Sequence, residues 1–205
     1  MKITRLTGLI ILPFIMTACQ DKSVQNNALL DIMQPICGKA YNGKIVSQNA
    51  ADDGWRQEII TMHVRDCSGG EVKIALHVGD DRSRTWILRR ENESIALRHD
   101  HRHEDGTPDS LTYYGGLSPI AQHQRISSQD KTATDSIRLV FPADQSTKTL
   151  FDKENIPVSK DNIWAIDYNP SADLFAYEMT RPNRDFRLEF DLTKETKTPP
   201  TPWGW

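Results

Sequence analysis

The feature that most constrains the fold is a series of short apolar runs separated by turn residues, starting near Gly38. The run Val72–Val78 places an apolar side chain at every second position, and a period of two is typical of a half-buried β-strand. The turn residues Ser68–Gly70 separate it from the apolar run Ile59–Val64, which predicts a β-hairpin. Because similar runs continue to Leu192, we expect an all-β domain of about nine to eleven strands.

The spacing of these runs predicts how the strands connect. Consecutive hairpins favour an antiparallel up-and-down meander, which either closes into a barrel or packs as a sandwich. We expect the barrel, since closure removes exposed strand edges. One short helix is predicted over Thr147–Asn155, starting near Ser146. The other candidate strands are Thr85–Leu88, Ile95–His103, Leu111–Tyr114, Gln122–Ile126, Ile137–Phe141, Ile163–Tyr168, Leu174–Thr180 and Phe186–Leu192.

The N-terminal residues have the pattern of an export signal. Two cations, Lys2 and Arg5, precede an apolar stretch that ends at Met16 and is too short to span a bilayer. The segment Met16-Thr17-Ala18-Cys19 resembles the lipobox of bacterial lipoproteins. The resemblance implies that residues 1–18 are a signal peptide and that Cys19 carries lipid, including an acyl chain such as palmitate. A plain periplasmic protein with an incidental cysteine is the alternative.

The lipoprotein resemblance also implies a location. Gln20 follows the acceptor cysteine, as in lipoproteins sorted to the outer membrane, so the protein would be anchored in the cell envelope facing the periplasm. Residues 19–36 would form a lipidated tether. The polar run at its start has too few apolar residues to fold.

Charge and motifs exclude several classes of function. The formal net charge of the 205 residues is −3, so the chain lacks the electrostatic footprint of a nucleic-acid partner. The sequence contains no P-loop, no G-x-S-x-G elbow, no H-E-x-x-H and no Rossmann glycines. No catalytic residue is therefore predicted.

Two cysteines remain if Cys19 is lipidated. Cys37 and Cys67 form an even pair, and in an oxidising compartment such a pair predicts a disulfide. Two free thiols, or a thiol metal site shared with histidines, are the alternatives.

Three of the six histidines, His99, His101 and His103, lie in one short segment. On a strand they share one face, with neighbours about 6.6 Å apart. His101 and one neighbour could bind Zn²⁺ or Cu²⁺ with a further ligand from another strand, whereas all three cannot reach one ion without a bulge. In the alternative interpretation these imidazoles only form hydrogen bonds at a barrel mouth. Candidate further ligands are His63, His77, Asp80 and Asp81.

A second cluster, Asp80–Arg84, is predicted to be a charged turn between two strands. Arg82 and Arg84 could bind an anion or carboxylate, because the guanidinium group suits bidentate contacts. Alternatively the turn is solvated and its charges pair locally, with little effect. If the turn lies at the same barrel end as His101 and His103, the four side chains would form one ligand-binding site.

Two further resemblances bear on the fold. The Gly-rich opening Gly38–Ile45 and a meander containing Trp86 and Trp164, which we expect in the core, resemble lipocalin-like (calycin) barrels. The segments Asp80–Trp86 and His99–Gly106 are similar to those of uncharacterised exported proteobacterial proteins, and that similarity implies no activity.

Three functional hypotheses follow. The first is a membrane-anchored envelope lipoprotein whose non-catalytic barrel, residues 37–192, binds a small ligand at a polar mouth. The second is a metal-binding or metal-dependent protein that uses His99, His101 and His103. The third is an envelope interaction or assembly protein that uses its flexible Pro-rich tail, residues 193–205, as a docking segment. Trp203 and Trp205 could end a mobile tail, or dock on the domain or on a partner.

Overall fold

The structure, a computed structural model, describes residues 33–119 and 136–205. The signal segment, Cys19 and the candidate strand Gln122–Ile126 lie outside the described residues. Ten strands form one antiparallel sheet. They are β1 Ala40–Ile45, β2 Ile60–Asp66, β3 Glu71–Val78, β4 Asp81–Glu91, β5 Ser94–His101, β6 Tyr114–Pro119, β7 Ile137–Pro142, β8 Ile163–Asn169, β9 Leu174–Arg181 and β10 Arg184–Thr196.

The strand order is that of an up-and-down barrel. From β1 to β6, and again from β7 to β10, each strand pairs with the next one along the chain, and β1 pairs with β10. The predicted antiparallel meander is therefore confirmed, and it forms a nearly closed barrel. Odd-numbered strands end and even-numbered strands begin at one end, which we call the mouth.

The remaining junction, between β6 and β7, is held by few backbone contacts. Gly116 and Ala143 form an isolated bridge, and the amide of Asp144 donates to the carbonyl of Gly115 at 3.2 Å. Thr147 adds a side-chain clasp: its hydroxyl accepts from the Gly115 amide at 2.7 Å and donates to the Gly115 carbonyl at 2.8 Å. Because these backbone groups are buried, the clasp supplies partners that a regular ladder would otherwise provide.

Two glycines allow this close approach. A Cβ on Gly115 would lie 1.8 Å from the carbonyl oxygen of Leu97, and a Cβ on Gly116 would lie 2.1 Å from that of Pro142. The glycines thus belong to strand β6, where a backbone approaches closely. The predicted strand Leu111–Tyr114 is wrong except for its last residue, because the Gly pair continues a strand instead of ending one.

Two α-helices occur among the described residues, α1 Asp53–Arg56 and α2 Gln145–Lys153. Helix α2 is the predicted helix, and it starts earlier than expected because Asp144 is its N-cap and accepts from the Thr147 amide at 2.9 Å. The four-residue α1 was not predicted. No described helix is both long enough and apolar enough to cross a bilayer.

The end of the barrel opposite the mouth is closed by the segment that precedes β1. Met33 and Ile36 are buried there against the core. The Cys37–Cys67 disulfide ties this segment to the β2–β3 hairpin across 30 residues of chain, which confirms the predicted pairing. Such a loop closure is expected to stabilise the fold by about 3 kcal/mol.

The C-terminal segment lies against the outside of the barrel, in contrast to the flexible tail that the sequence suggested. Strand β10 itself continues to Thr196, beyond the expected domain boundary. The amide of Trp203 donates to the carbonyl of Arg82 at 3.1 Å. The indole of Trp205 donates to Asp100 at 3.0 Å, and this carboxylate is fully buried. The tail therefore serves as a partner for a charged group of its own barrel.

We expect Thr147→Val to weaken the β6–β7 junction. The substitution keeps the side-chain shape but leaves the buried amide of Gly115 without a partner, and the Gly115 carbonyl keeps only its bond from Asp144. We expect a cost of about 1–3 kcal/mol. Urea unfolding measures this loss. Thr149→Val on the exposed side of α2 is the matched control and should change the free energy of unfolding by less than about 0.5 kcal/mol. Equal losses in the two variants would contradict the role of the clasp.

Candidate functional site

The mouth of the barrel contains a cavity of about 400 Å³. This volume is within the range of small-molecule sites in proteins. The cavity is bounded by the strand ends at the mouth, by the loop that carries α1, and by α2 and the turn that follows it. Its lining is rich in aromatic side chains, namely Trp55, Trp86, Tyr114, Phe151, Trp164 and Tyr177.

The lining on β4 and β5 is arranged in two layers. Arg84 pairs across the strands with His101, and Trp86 pairs with His99. All four side chains line the cavity, since residues two apart on a strand share a face. Arg84 and His101 lie nearer the end of the barrel and form the outer layer, while Trp86 and His99 form the inner layer.

His99 is fixed by two hydrogen bonds in the inner layer. Its Nδ1 contacts the carbonyl oxygen of Tyr114 at 3.1 Å, and its Nε2 contacts the hydroxyl of Tyr177 at 2.7 Å. A carbonyl only accepts, so Nδ1 carries the ring proton and the Tyr177 hydroxyl donates to Nε2. Burial, followed by repulsion from His101, lowers the pKa of His99 to about 3. Burial raises the pKa of Tyr177 well above its usual value, so both groups are uncharged at neutral pH.

The inner layer is also packed by aromatic stacking. The rings of Trp86 and Tyr177 stack with centroids 4.2 Å apart, and the rings of His99 and Tyr114 stack at 4.6 Å. Trp164 lies 5.1 Å from His99 at a tilt. These contacts produce flat aromatic walls whose orientation is fixed before any ligand enters.

His101 and Tyr114 form a second polar pair toward the mouth. The Tyr114 hydroxyl contacts Nε2 of His101 at 3.1 Å. Burial, together with repulsion from Arg84, lowers the pKa of His101 to about 4. Burial raises the pKa of Tyr114 to about 12. The pair is thus neutral over the physiological range and offers hydrogen bonds without charge.

Two arginines supply the positive charge of the lining. Arg184 binds both carboxylate oxygens of Asp52, a residue only 5% exposed. Arg84 bonds Asp81 through Nη1 alone, at 2.5 Å, and lies over the ring of Trp55 at 4.9 Å. In the Arg184–Asp52 pair both carboxylate oxygens are bound in a bidentate contact, whereas Arg84 keeps most of its N–H groups for other partners.

The predicted ligand-binding residues divide into two groups. Arg84 and His101 line the cavity, as the sequence indicated for one polar site at the mouth. His103 does not join them, because β5 ends at His101 and His103 is exposed in the following loop. Arg82 donates to the carbonyl of Thr201 at 3.4 Å and lines a separate outer depression with the tail.

The predicted metal ligands are not brought together. The structure holds no cluster of three or more potential His, Cys, Asp or Glu ligands within residues 33–119 and 136–205. Both ring nitrogens of His99 are already engaged, and His103 lies outside the strand. His77 alternates with the cavity-lining Leu76 on β3, so it faces away from the cavity. A site for Zn²⁺ or Cu²⁺ built on His99, His101 and His103 thus lacks the geometry it needs.

Several lining residues were missed by sequence reasoning. Trp86 and Trp164 were assigned to the core, and each is indeed only 2% exposed, yet both face the cavity. The period-two alternation could have found Trp86, which follows Arg84 on the same face. No local signal identified Tyr177, or the Arg184–Asp52 pair, because their partners are more than seventy residues away in sequence.

The chain matches no family model, and no curated protein or solved structure is significantly similar to it.

We expect the free energy of unfolding to fall as the pH is lowered from about 6.5 toward 5. In this window the unfolded chain protonates its histidines, whereas His99, His101 and His77, whose pKa values are lowered to about 3, 4 and 4, stay neutral in the folded state. Each such histidine contributes a slope of up to about 1.4 kcal/mol per pH unit.

Urea unfolding between pH 5 and 7 tests this expectation. His99→Gln should remove about one histidine's share of the slope, and Thr149→Val, which removes no titratable group, should keep the slope of the unsubstituted protein. An unchanged slope in His99→Gln would show that His99 is protonated in the folded state.

Proposed function

We propose that this protein is a lipid-anchored binding protein of the bacterial envelope that holds a small molecule in the mouth cavity of its barrel. The observation that carries the proposal is the cavity of about 400 Å³ with a largely aromatic lining and a few placed polar groups. Small-molecule sites have this size and composition. The fold alone would not suffice, because function resides in the site.

The protonation states of the lining support binding over catalysis. A general acid or base works best when its pKa is near the operating pH. His99 and His101 have pKa values lowered to about 3 and 4, and that of Tyr114 is raised to about 12. Throughout the neutral pH range the two histidines stay uncharged and Tyr114 keeps its hydroxyl proton. Such groups are poorly matched to proton transfer near neutral pH and well suited to shaping a binding site.

The rigidity of the walls also supports binding. Each aromatic group of the inner layer is fixed by a stacking or hydrogen-bonding partner, such as Trp86 on Tyr177 and Tyr177 on His99. Preorganised walls lower the entropic cost of binding, since few side chains must be immobilised when the ligand enters.

The disulfide supports the envelope location. The Cys37–Cys67 bond is of the kind that persists in oxidising compartments such as the periplasm. The lipobox-like Met16-Thr17-Ala18-Cys19 supplies the anchor in this proposal, and residues 19–36 would link the lipid to the barrel. Several acyl chains give a stable anchor where one chain would not.

Metabolic labelling tests the anchor. Cells expressing the full chain and fed radiolabelled palmitate should label the protein, and Cys19→Ser should abolish the label and move the protein to the soluble fraction. Thr17→Ser, which keeps a small residue at the lipobox position, is the matched control and should be labelled normally. Label that persists in Cys19→Ser would refute lipidation at this residue.

A neutral aromatic dye tests the cavity. N-phenylnaphthylamine, whose fluorescence rises in apolar surroundings, should bind the protein saturably. Met179→Trp fills the mouth beside Trp164, its neighbour across the strands, and should weaken binding by about tenfold or more. Val140→Trp places the same side chain on the outer face of β7, where Val140 is 38% exposed, and should leave the affinity unchanged.

Equal affinities of the Met179→Trp and Val140→Trp variants would place the dye elsewhere and contradict the proposed site. The free energies of unfolding of both variants, measured in parallel, ensure that each protein compared is folded.

A further inference from the structure

The two arginines of the cavity differ in how many of their N–H donors remain free to bind a ligand. Arg184 offers two N–H groups to the two oxygens of Asp52, and this carboxylate is buried beside it. Such a fork-to-fork pair satisfies both partners and neutralises both charges. Arg184 therefore contributes to the wall of the cavity and has few N–H donors left for a ligand.

Arg84 is less completely paired. Among the described residues its only side-chain hydrogen bond goes from Nη1 to Asp81, while a guanidinium group has five N–H donors. Asp81 also accepts from the amide of Ser83 at 2.9 Å, and it is not part of the cavity lining. The guanidinium of Arg84 does line the cavity, with one face over Trp55. Arg84 is thus a cation with free donors at the mouth.

Among the residues that line the cavity, no carboxylate is free to attract a cationic ligand. The lining includes one acidic residue, Asp52, and both of its oxygens are bound by Arg184. Aromatic walls by themselves would suit a quaternary ammonium group, but Arg84 would repel it. Since His101 beside Arg84 is neutral and Asp81 lies outside the lining, the guanidinium of Arg84 is the one charged group of the outer layer that faces the cavity.

The inner layer suits a flat, apolar group. Trp86 and Tyr177 present stacked rings, and Trp164 and Phe151 line the same space. The ring nitrogens of His99 and the hydroxyl of Tyr177 are used in bonds within the wall, to the Tyr114 carbonyl and to each other. A ring entering this layer would gain stacking and apolar burial without displacing a hydrogen bond.

We propose that the ligand is a planar aromatic anion, with its ring in the inner layer and its carboxylate or sulfonate bound by Arg84. This inference rests on the proposed small-molecule site and adds the chemical class and orientation of its ligand. The distance between the layers is that of two residues along a strand, about 6.6 Å, which matches the separation of an anionic group from the far ring of a fused aromatic system.

Two dyes with one skeleton test the inference. Anilinonaphthalene sulfonate has the skeleton of N-phenylnaphthylamine plus one sulfonate, which stays ionised at all accessible pH values. The intact protein should bind the sulfonate at least about tenfold more tightly than the neutral dye, the increment expected from a hydrogen bond to a charged group.

Substitutions at Arg84 show whether its positive charge accounts for the preference for the sulfonate. Arg84→Gln should remove the tenfold preference, so that the two dyes bind the variant with equal affinity. Arg84→Lys should keep part of the preference, because it retains the charge but loses the planar fork. The matched control is Arg138→Gln on the outer face of β7, where Arg138 also binds carboxylates, and it should behave like the intact protein.

The outcomes distinguish the two proposals. Equal affinity for both dyes, or a preference that survives in Arg84→Gln, would overturn the anion inference and leave the small-molecule site intact. Binding of neither dye would overturn both. A preference that is lost in Arg84→Gln and kept in Arg138→Gln would establish the class of ligand and the residue that selects it.

Discussion

Closure of the sheet between β6 and β7 is the constraint on which the rest of the molecule depends. Every other pair of neighbouring strands is joined by a ladder of several residue pairs, whereas this junction relies on Gly115, Gly116 and the hydroxyl of Thr147. Strand β6 begins with Tyr114, whose carbonyl orients His99 and whose hydroxyl contacts His101. The contacts that close the barrel therefore also place the tyrosine that organises its cavity, so that the fold and the site are built by the same short strand.

Desolvation decides the character of the site. A histidine cluster read from sequence suggests charge or metal coordination, yet burial makes the neutral form of His99 and His101 the stable one. Their hydrogen bonds to Tyr177 and Tyr114 then need no counter-charge. Positive charge remains on the arginines alone, and the closed pair of Arg184 with Asp52 leaves Arg84 as the group that can meet an anion. Neutral donors in the interior and one available cation at the rim define what the cavity can select.

The two faces of β5 illustrate how distant parts of the chain complete the barrel. Its inward face carries the two cavity histidines. On its outward face, Arg98 bonds Asp144, the N-cap of α2, while the buried Asp100 receives the indole of Trp205. A buried charge is stable only when it is paired or hydrogen-bonded. The helix start and the C-terminal tail supply such partners here, together with Glu91 for Arg98 and Arg102 for Asp100. The tail consequently belongs to the folded unit.

The sequence by itself determined the secondary structure class, the meander, the α2 helix, the disulfide and the shared face of His99 and His101. These features depend on local periodicity, turn chemistry and cysteine pairing, which are written in short stretches of chain. Only the tertiary structure decided that Gly115 and Gly116 continue a strand, that His103 leaves the site, and that Tyr177, Trp164 and the Arg184–Asp52 pair enter it. Those outcomes depend on which distant strands meet at the mouth and on how much water is excluded there, and neither quantity has a signature in the order of neighbouring residues.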